Sequence, residues 1–173
     1  MAEVSYPARC IQIIDLGLQE KTWQGETKLK PEIILIFETA ERMQDERPFT
    51  VNRRFTKFTT DKANFAKFLI DWGVVQKDAL DSLTVDMFLN KTCLLSVTAT
   101  PSNDTPNRIF NNIQTVMPLP KGMEIQEAEN PVFEFSIKEI GDEEKMKKIW
   151  PWIQKIIKKS QEYLILTGEE PPF

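Results

Sequence analysis

The sequence predicts a mainly β fold with helices, and three observations carry that prediction. Five segments rich in β-branched and aromatic residues end at turn-forming residues, as strands do. A segment with helical spacing lies between the third and the fourth of them. A second helical pattern, broken by Pro151, follows a linker in the last third of the chain.

The first two strands are predicted at residues 8–19 and 30–39. Residues 8–19 read ARCIQIIDLGLQ, with Gly17 as a bulge or strand end. Residues 30–39, KPEIILIFET, are rich in isoleucine and too short for a typical helix, and Pro31 fits the start of a strand. The polar stretch at residues 20–28 is expected to be a loop.

A third strand is predicted at residues 48–58, PFTVNRRFTKF. Alternation gives one face with Phe49, Val51, Arg53, Phe55 and Lys57, and a second face with Thr50, Asn52, Arg54, Thr56 and Phe58. Arginine and aromatic residues therefore interleave, which a strand that packs on one side alone would not need.

Residues 60–72 predict a helix, because four large apolar residues recur at helical spacing: Phe65, Phe68, Leu69 and Trp72. Thr60 is the expected N-cap and Gly73 the expected C-terminal stop. Residues 77–89 are expected to add a short helical turn or two, and the side chains expected to be buried there are Leu80, Leu83, Met87 and Phe88.

Residues 92–100, TCLLSVTAT, form the predicted fourth strand, and residues 108–117, RIFNNIQTVM, form the fifth after a turn-rich connection. The order strand, strand, strand, helix, strand, strand is that of an OB-fold, a small five-stranded Greek-key barrel that binds oligonucleotides and oligosaccharides. An unrelated five-stranded α+β domain is the alternative.

The chain is expected to divide near residue 125. Residues 1–125 are the predicted OB-fold-like domain, and residues 126–173 hold the end of a linker, a C-terminal helical appendage and an acidic tail. Phe133 and Phe135 are expected to dock on the domain. Residues 142–164 read as helical with a break at Pro151, which suits the first turn of a new helix. The residues expected to be buried there are Ile153, Ile156, Ile157 and Leu164.

Composition excludes several classes of function. With 22 basic and 26 acidic residues and a net charge of −4, the chain lacks the basic excess typical of nucleic-acid-binding proteins, so any such surface must be local. The absence of histidine excludes histidine-based acid–base catalysis and histidine metal ligation. Cys10 and Cys93 lie in apolar runs and are expected to be buried thiols.

No enzymatic motif is evident. The sequence has neither a glycine-rich phosphate loop nor a Ser/His or Cys/His pair, so we expect no catalytic residues, no cofactor and no metal site. A nuclease built on carboxylates is the enzymatic alternative. Without a signal peptide or an apolar span of about 20 residues, a soluble, cytoplasmic protein is expected.

The aromatic and basic residues favour binding of single-stranded nucleic acid. Bases stack on aromatic rings, at about 1 to 3 kcal/mol each, while basic side chains follow the phosphates. The candidates are Lys21, Trp23, Lys28, Lys30, Arg53, Arg54, Phe55, Lys57, Arg108, Phe110 and Asn112. Each could instead be structural: Phe55 could belong to the core, and one of the two adjacent arginines could pair with Asp45 or Glu46. Trp23, in a polar stretch, has less reason to be buried.

The last residues of the sequence suggest a captured peptide. Glu169 and Glu170 precede a diproline, Pro171 and Pro172, and Phe173 is last. Proline favours an extended backbone, so a partner could bind the ring and the terminal carboxylate together. A frayed terminus without a role is the alternative.

These residues together resemble a family of bacteriophage single-stranded DNA-binding proteins. The resemblance covers nearly the whole chain through short motifs at residues 8–10, 15–19, 53–56, 62–72, 93–95, 110–113 and 118–123. This chain departs from the family pattern at Leu18, where threonine is usual, and at Phe55 and Phe110, where tyrosine is usual. Residues 169–173 are similar to the acidic tip of bacterial single-stranded DNA-binding proteins, although shorter and less acidic.

The resemblance implies a protein that coats single-stranded DNA during phage replication or recombination, in the bacterial host cytoplasm. Its tail would recruit replication or recombination proteins, and no membrane partner is expected. The sequence leaves the oligomeric state open, a homo-oligomer included. The alternative is a phage interaction module that binds or inhibits a host replication or defence enzyme.

Overall fold

A computed structural model of the chain describes residues 3–101 and 109–168. Its strands are β1 (Glu3–Trp23), β2 (Glu26–Arg42), β3 (Pro48–Thr56), β4 (Thr92–Pro101), β5 (Ile109–Met117) and β6 (Phe133–Phe135). The α-helices are α1 (Asn64–Trp72), α2 (Glu143–Lys148), α3 (Pro151–Ile157) and α4 (Gln161–Leu166). Short 3₁₀ turns occupy Lys77–Ser82, Val85–Met87 and Ile137–Glu139.

The strands form one mainly antiparallel, open sheet in the order β3-β2-β1-β4-β5. The long strand β1 organises it, because one edge pairs with β2 while the other pairs first with β4 and then, in parallel, with β6. The mainly β class and the helix between the third and fourth strands are confirmed. The sixth strand and the parallel pairing were not predicted.

One face of the sheet is covered by α1 and the 3₁₀ turns that follow it. All four apolar residues predicted for the helical face are buried there: Phe65, Phe68, Leu69 and Trp72. Gly73 ends α1 in the left-handed conformation with φ 87°, as predicted. The predicted N-cap is wrong, because α1 starts after Ala63 and Thr60 instead accepts the Ala63 N–H in a preceding turn.

The turns after α1 bury Leu80 and Phe88, as predicted. Leu83 and Met87 are only half-buried, since they pack at the margin of this core.

The other face of β1 and β2 is covered by β6 and the C-terminal helices. A second apolar core joins Ile11, Ile14, Leu16, Ile34 and Ile36 of the sheet to Phe135, Met146, Ile149, Ile153 and Ile157. Because both faces of these two strands are buried, their sequences are nearly continuous apolar runs rather than alternating ones.

The predictions for this C-terminal segment are largely confirmed. Phe135 is buried and Phe133 is half-buried beside it, and Pro151 occupies the first turn of α3. Ile156 and Leu164 were predicted to be buried but are half-buried, because they lie at the edge of the helical layer.

Cys10 and Cys93 are free, buried thiols on neighbouring strands, as predicted. Burial raises the pKa of both thiols well above the ordinary value, so both are neutral at physiological pH. In the part of the chain described, no helix is long and apolar enough to cross a membrane.

Candidate nucleic-acid interface

The predicted loop at residues 20–28 is instead the tip of a long β1–β2 hairpin. The turn consists of Gln24 and Gly25, with φ 51° and 79°, which is the two-residue hairpin turn that needs positive φ at both positions. The loop prediction is wrong because backbone hydrogen bonds between two strands can continue through polar residues.

The hairpin places four candidate residues on one of its faces. Lys21 pairs directly with Lys28, Trp23 with Glu26, and Gln19 with Lys30, and directly paired residues point to the same side. Trp23 is 76% exposed, as the sequence indicated. The hairpin therefore presents an exposed indole ring beside lysines.

Arg53 and Arg54 point to opposite faces of β3. Arg53 lies between buried Val51 and Phe55, and its guanidinium carbon lies 4.8 Å from the ring centroid of Phe55 and 5.4 Å from that of Phe68. Burial lowers the pKa of the Arg53 guanidinium. Among the described residues, Arg53 has neither a carboxylate partner nor a hydrogen-bond acceptor, so its charge is balanced only by these ring contacts.

Arg54 has a structural partner that the sequence did not indicate. Its guanidinium contacts Glu32, a buried carboxylate that also accepts from Lys21 at 2.7 Å. Asp45, one of the acids named as an alternative partner, instead pairs with Arg47. Two of the candidate cations thus neutralise one buried acid, which leaves an excess of one positive charge.

Lys57 has a similar structural role. Its ammonium lies 3.1 Å from Asp15, whose side chain is largely buried and also accepts from the Gly17 N–H. The Lys57 charge is therefore committed to β1, and the residue is a weaker candidate for phosphate binding than the sequence suggested.

Phe55 is a core residue, and its assignment to base stacking is corrected. It is 4% exposed and its ring centroid lies 5.1 Å from that of Phe68 and 5.5 Å from that of Phe65. Because α1 covers this face of β3, no base can reach the ring.

Phe110 and Asn112 lie on the outward face of β5, opposite Thr100 and Thr98 of β4. Phe110 is 44% exposed, and Asn112 donates to the Thr100 hydroxyl at 3.1 Å. Arg108 lies outside the described residues, as do Glu169, Glu170, Pro171, Pro172 and Phe173, so those predictions stay predictions.

An open groove separates β3 from β5, the two ends of the sheet path. Its walls include Arg53 and Phe110, two residues that the sequence analysis had named separately as candidates for DNA binding. Polar side chains supply the rest of the walls, above all Asn52, Asn111 and Asn112. The groove thus combines an exposed ring and amide groups with a cation that has no acidic partner among the described residues.

The groove continues past Arg53 and Arg54 into a second depression toward the hairpin. This depression is lined by five cations, Lys21, Lys30, Arg53, Arg54 and Lys62, and by one carboxylate, Glu32. Lys30, Arg53 and Lys62 have no ion-pair partner within residues 3–101 and 109–168. The excess positive charge favours a ligand with several negative charges.

Two residues of this depression escaped the sequence analysis. Phe58 is 43% exposed just beyond β3, and Lys62 is exposed shortly before α1. The argument that selected Trp23, an aromatic side chain in a polar stretch, also applies to Phe58, which precedes Thr59, Thr60 and Asp61.

No group of three or more carboxylate or thiol side chains is placed to hold a metal ion within the described residues. No protein-family model, no curated protein and no solved structure matches the chain significantly.

Proposed function

We propose that this protein binds single-stranded DNA along the groove between β3 and β5 and coats exposed strands during phage replication or recombination. The observation that carries the proposal is Arg53, a half-buried guanidinium on the groove wall without an acidic partner among the described residues. Removing a cation from water costs free energy unless a charge compensates it. A phosphate in the groove would supply that charge.

The groove suits a single strand better than a duplex. The exposed rings of Trp23, Phe58 and Phe110 offer stacking surfaces, which only unpaired bases can use. Phe110 lines the groove together with Arg53, and Phe58 lines the second depression together with Lys30, Arg53 and Lys62. Aromatic rings combined with cations are the arrangement that sequence-tolerant binding of a single strand uses.

The strand order supports an OB-fold-like architecture for this function. The neighbours β4-β1-β2-β3 have the order of a Greek key, and pairing of β3 with β5 would close the sheet into a ring of five strands. In OB-folds the second and third strands and the adjoining loops face the ligand. Here those elements carry Lys30 and Arg53 and adjoin the hairpin with Trp23.

A fluorescence titration with oligo(dT) at several salt concentrations tests the proposal. We expect tight binding at low salt, a linear fall of log K with log salt concentration, and weaker binding to a duplex of equal length. Absence of binding at low salt, or binding that salt does not change, would contradict it.

Arg53→Gln is the sharpest variant, because Arg54 and Lys57 hold buried carboxylates and their loss would also perturb the fold. We expect Arg53→Gln to lower affinity about tenfold and to reduce the salt slope by about 0.7, the value for one phosphate contact on a single strand. The matched control is Arg42→Gln at the far end of β2, which should leave both values unchanged.

A protein-interaction role is the second candidate, and exposed apolar residues on the C-terminal helices favour it. Trp152 is 43% exposed, Ile165 60% and Leu166 54%. Exposed apolar residues of this size can mark a partner surface. An interaction module would retain its affinity for the partner protein when Arg53 is replaced. A protein that coats DNA would lose affinity for DNA in the same variant. Recruitment of replication proteins by residues 169–173 is proposed on the sequence alone.

A further inference from the structure

A third depression lies between the β1–β2 hairpin and the C-terminal helices. Its walls are formed by Gln19 and Glu20 of β1, Arg54 of β3, and Ile156, Lys158, Lys159 and Leu164 of the helical layer. Arg54 lines all three depressions, so they adjoin one another at this residue.

Lys158 and Lys159 follow directly after α3. Neither is in an ion pair with a residue that the structure describes, and both are exposed. A cation after a helix is favourable for the helix dipole, at about 0.3 to 1 kcal/mol, and that alone would explain one lysine there. It does not explain why both line a depression that continues the cationic groove.

The helical layer is fixed against β1, so the two lysines have a defined position relative to Arg54. The Gln19 amide donates to the Ile156 carbonyl at 2.9 Å, and the Leu18 N–H donates to the Glu162 carboxylate at 2.8 Å. Ile157 and Ser160, on either side of the lysine pair, are fully buried.

Gly17 makes this close approach feasible. A Cβ at this position would lie 2.8 Å from Glu162 Oε1 and 2.9 Å from Ser160 Cβ, distances that a side chain does not tolerate. The chain between α3 and α4 therefore lies directly on β1, and the lysine pair is part of the wall rather than of a free appendage.

We infer that Lys158 and Lys159 bind the DNA backbone, so that the strand leaves the groove between β3 and β5, passes Arg54 and continues onto the end of α3. The inference rests on the proposed function and extends it by a second phosphate-binding segment outside the β sheet. The occupant is the sugar–phosphate chain, because the lining of this depression has three cations against one carboxylate, Glu20, and no aromatic ring.

The test compares Lys158→Gln/Lys159→Gln with a control of equal charge change, Lys147→Gln/Lys148→Gln on the exposed side of α2. Binding to an oligo(dT) length series is measured at several salt concentrations, and thermal unfolding verifies that both variants fold. For long oligonucleotides we expect the first pair to reduce the salt slope by about 1.4 and the affinity at 0.1 M salt by about 25-fold. The control should match wild type.

Length dependence gives the second readout. In wild type, affinity should rise with oligonucleotide length until the strand reaches Lys159, and in the Lys158→Gln/Lys159→Gln variant it should level off at a shorter length. If wild type binds but the variant has the same slope and the same length dependence, the inference is wrong and the proposed function stands. If wild type does not bind at all, the proposed function itself fails.

Discussion

The two ends of the β2–β3 ladder differ in how far their basic residues are paired with acids. At the end formed by Arg42, Arg47 and Glu38, which we call the linker end, both arginines are paired: Arg42 makes two 2.5 Å hydrogen bonds to Glu129, and Arg47 contacts Asp45. At the groove end only some basic residues are paired, as Arg54 is with Glu32 and Lys57 with Asp15. Lys30, Arg53 and Lys62 have no acidic partner among the described residues.

The linker end binds the segment between β5 and β6 through hydrogen bonds. Buried Glu38 accepts hydrogen bonds from the backbone N–H groups of Glu129 and Asn130, at 2.9 and 3.0 Å, and from the Asn130 amide at 2.7 Å. The Arg42 guanidinium lowers the pKa of the Glu129 carboxyl and keeps it charged. These charged groups are paired within the molecule, so they offer little unpaired charge to a ligand.

The comparison shows that cations without an acidic partner, rather than the net charge of the chain, mark the candidate site. The chain as a whole has a net charge of −4, yet three cations without an acidic partner among the described residues, Lys30, Arg53 and Lys62, line one depression. Variants that act on one end should therefore leave the other end unchanged.

Gly17→Ala should have the largest effect, on the wall of the groove end. Gly17 has φ 73°, and an added Cβ would meet Glu162, Ile137 and Ser160 within 2.9 Å. Backbone strain and overpacking together should lower the free energy of unfolding by about 3 kcal/mol. Urea unfolding measures this loss.

Gly25→Ala is the matched control for Gly17→Ala. Its φ of 79° imposes the same kind of backbone strain, but no atom lies within 4 Å of the added Cβ. We expect a loss of about 1 kcal/mol. Equal losses at the two glycines would show that the close contact between β1 and the helical layer does not constrain position 17.

Glu38→Gln should have the next largest effect, at the linker end. The variant keeps the side-chain shape but replaces a charged acceptor of three N–H bonds by a neutral amide, at a cost of about 2 kcal/mol in unfolding free energy. Affinity for oligo(dT) should stay within about twofold of wild type. A large loss of DNA affinity in the folded variant would mean that the linker end also contacts DNA.

Trp23→Ala should have the smallest effect, and it acts on DNA binding alone. The indole is 76% exposed, so stability should not change, while the loss of one stacking ring should weaken oligo(dT) binding by about 1 kcal/mol, or about fivefold. Trp152→Ala, which removes an exposed tryptophan from α3, is the control and should bind like wild type. Equal affinities for wild type and Trp23→Ala would remove the hairpin from the interface.

Much of the fold could be predicted from the sequence, because local patterns carry it. The spacing of Phe65, Phe68, Leu69 and Trp72 predicted α1, and Pro151 predicted the start of α3. Apolar runs predicted β1, β2 and β4, although the outer halves of the β1–β2 hairpin were missed. There the Gln24-Gly25 turn was the available signal, since glycine at the second position suits a tight hairpin.

The residue types of the candidate site could be predicted from the sequence. Which of these residues are buried, and which lie side by side, could not. The exposure of Trp23 followed from its polar neighbours in sequence, whereas the burial of Phe55 depended on the docking of α1 across β3. Lys158 and Lys159 had no sequence signal, because their place beside Arg54 results from the docking of the helical layer on Gly17.

Most strands and helices, and the presence of arginine, lysine and aromatic residues near the candidate site, follow from the sequence alone. Which cations are neutralised within the molecule depends on the tertiary fold. Arg54 and Glu32 are 22 positions apart, Lys57 and Asp15 are 42 apart, and Arg42 and Glu129 are 87 apart. Strand register and helix docking bring such charges together, and a side chain left unpaired, as Arg53 is among the described residues, is a property of the folded surface.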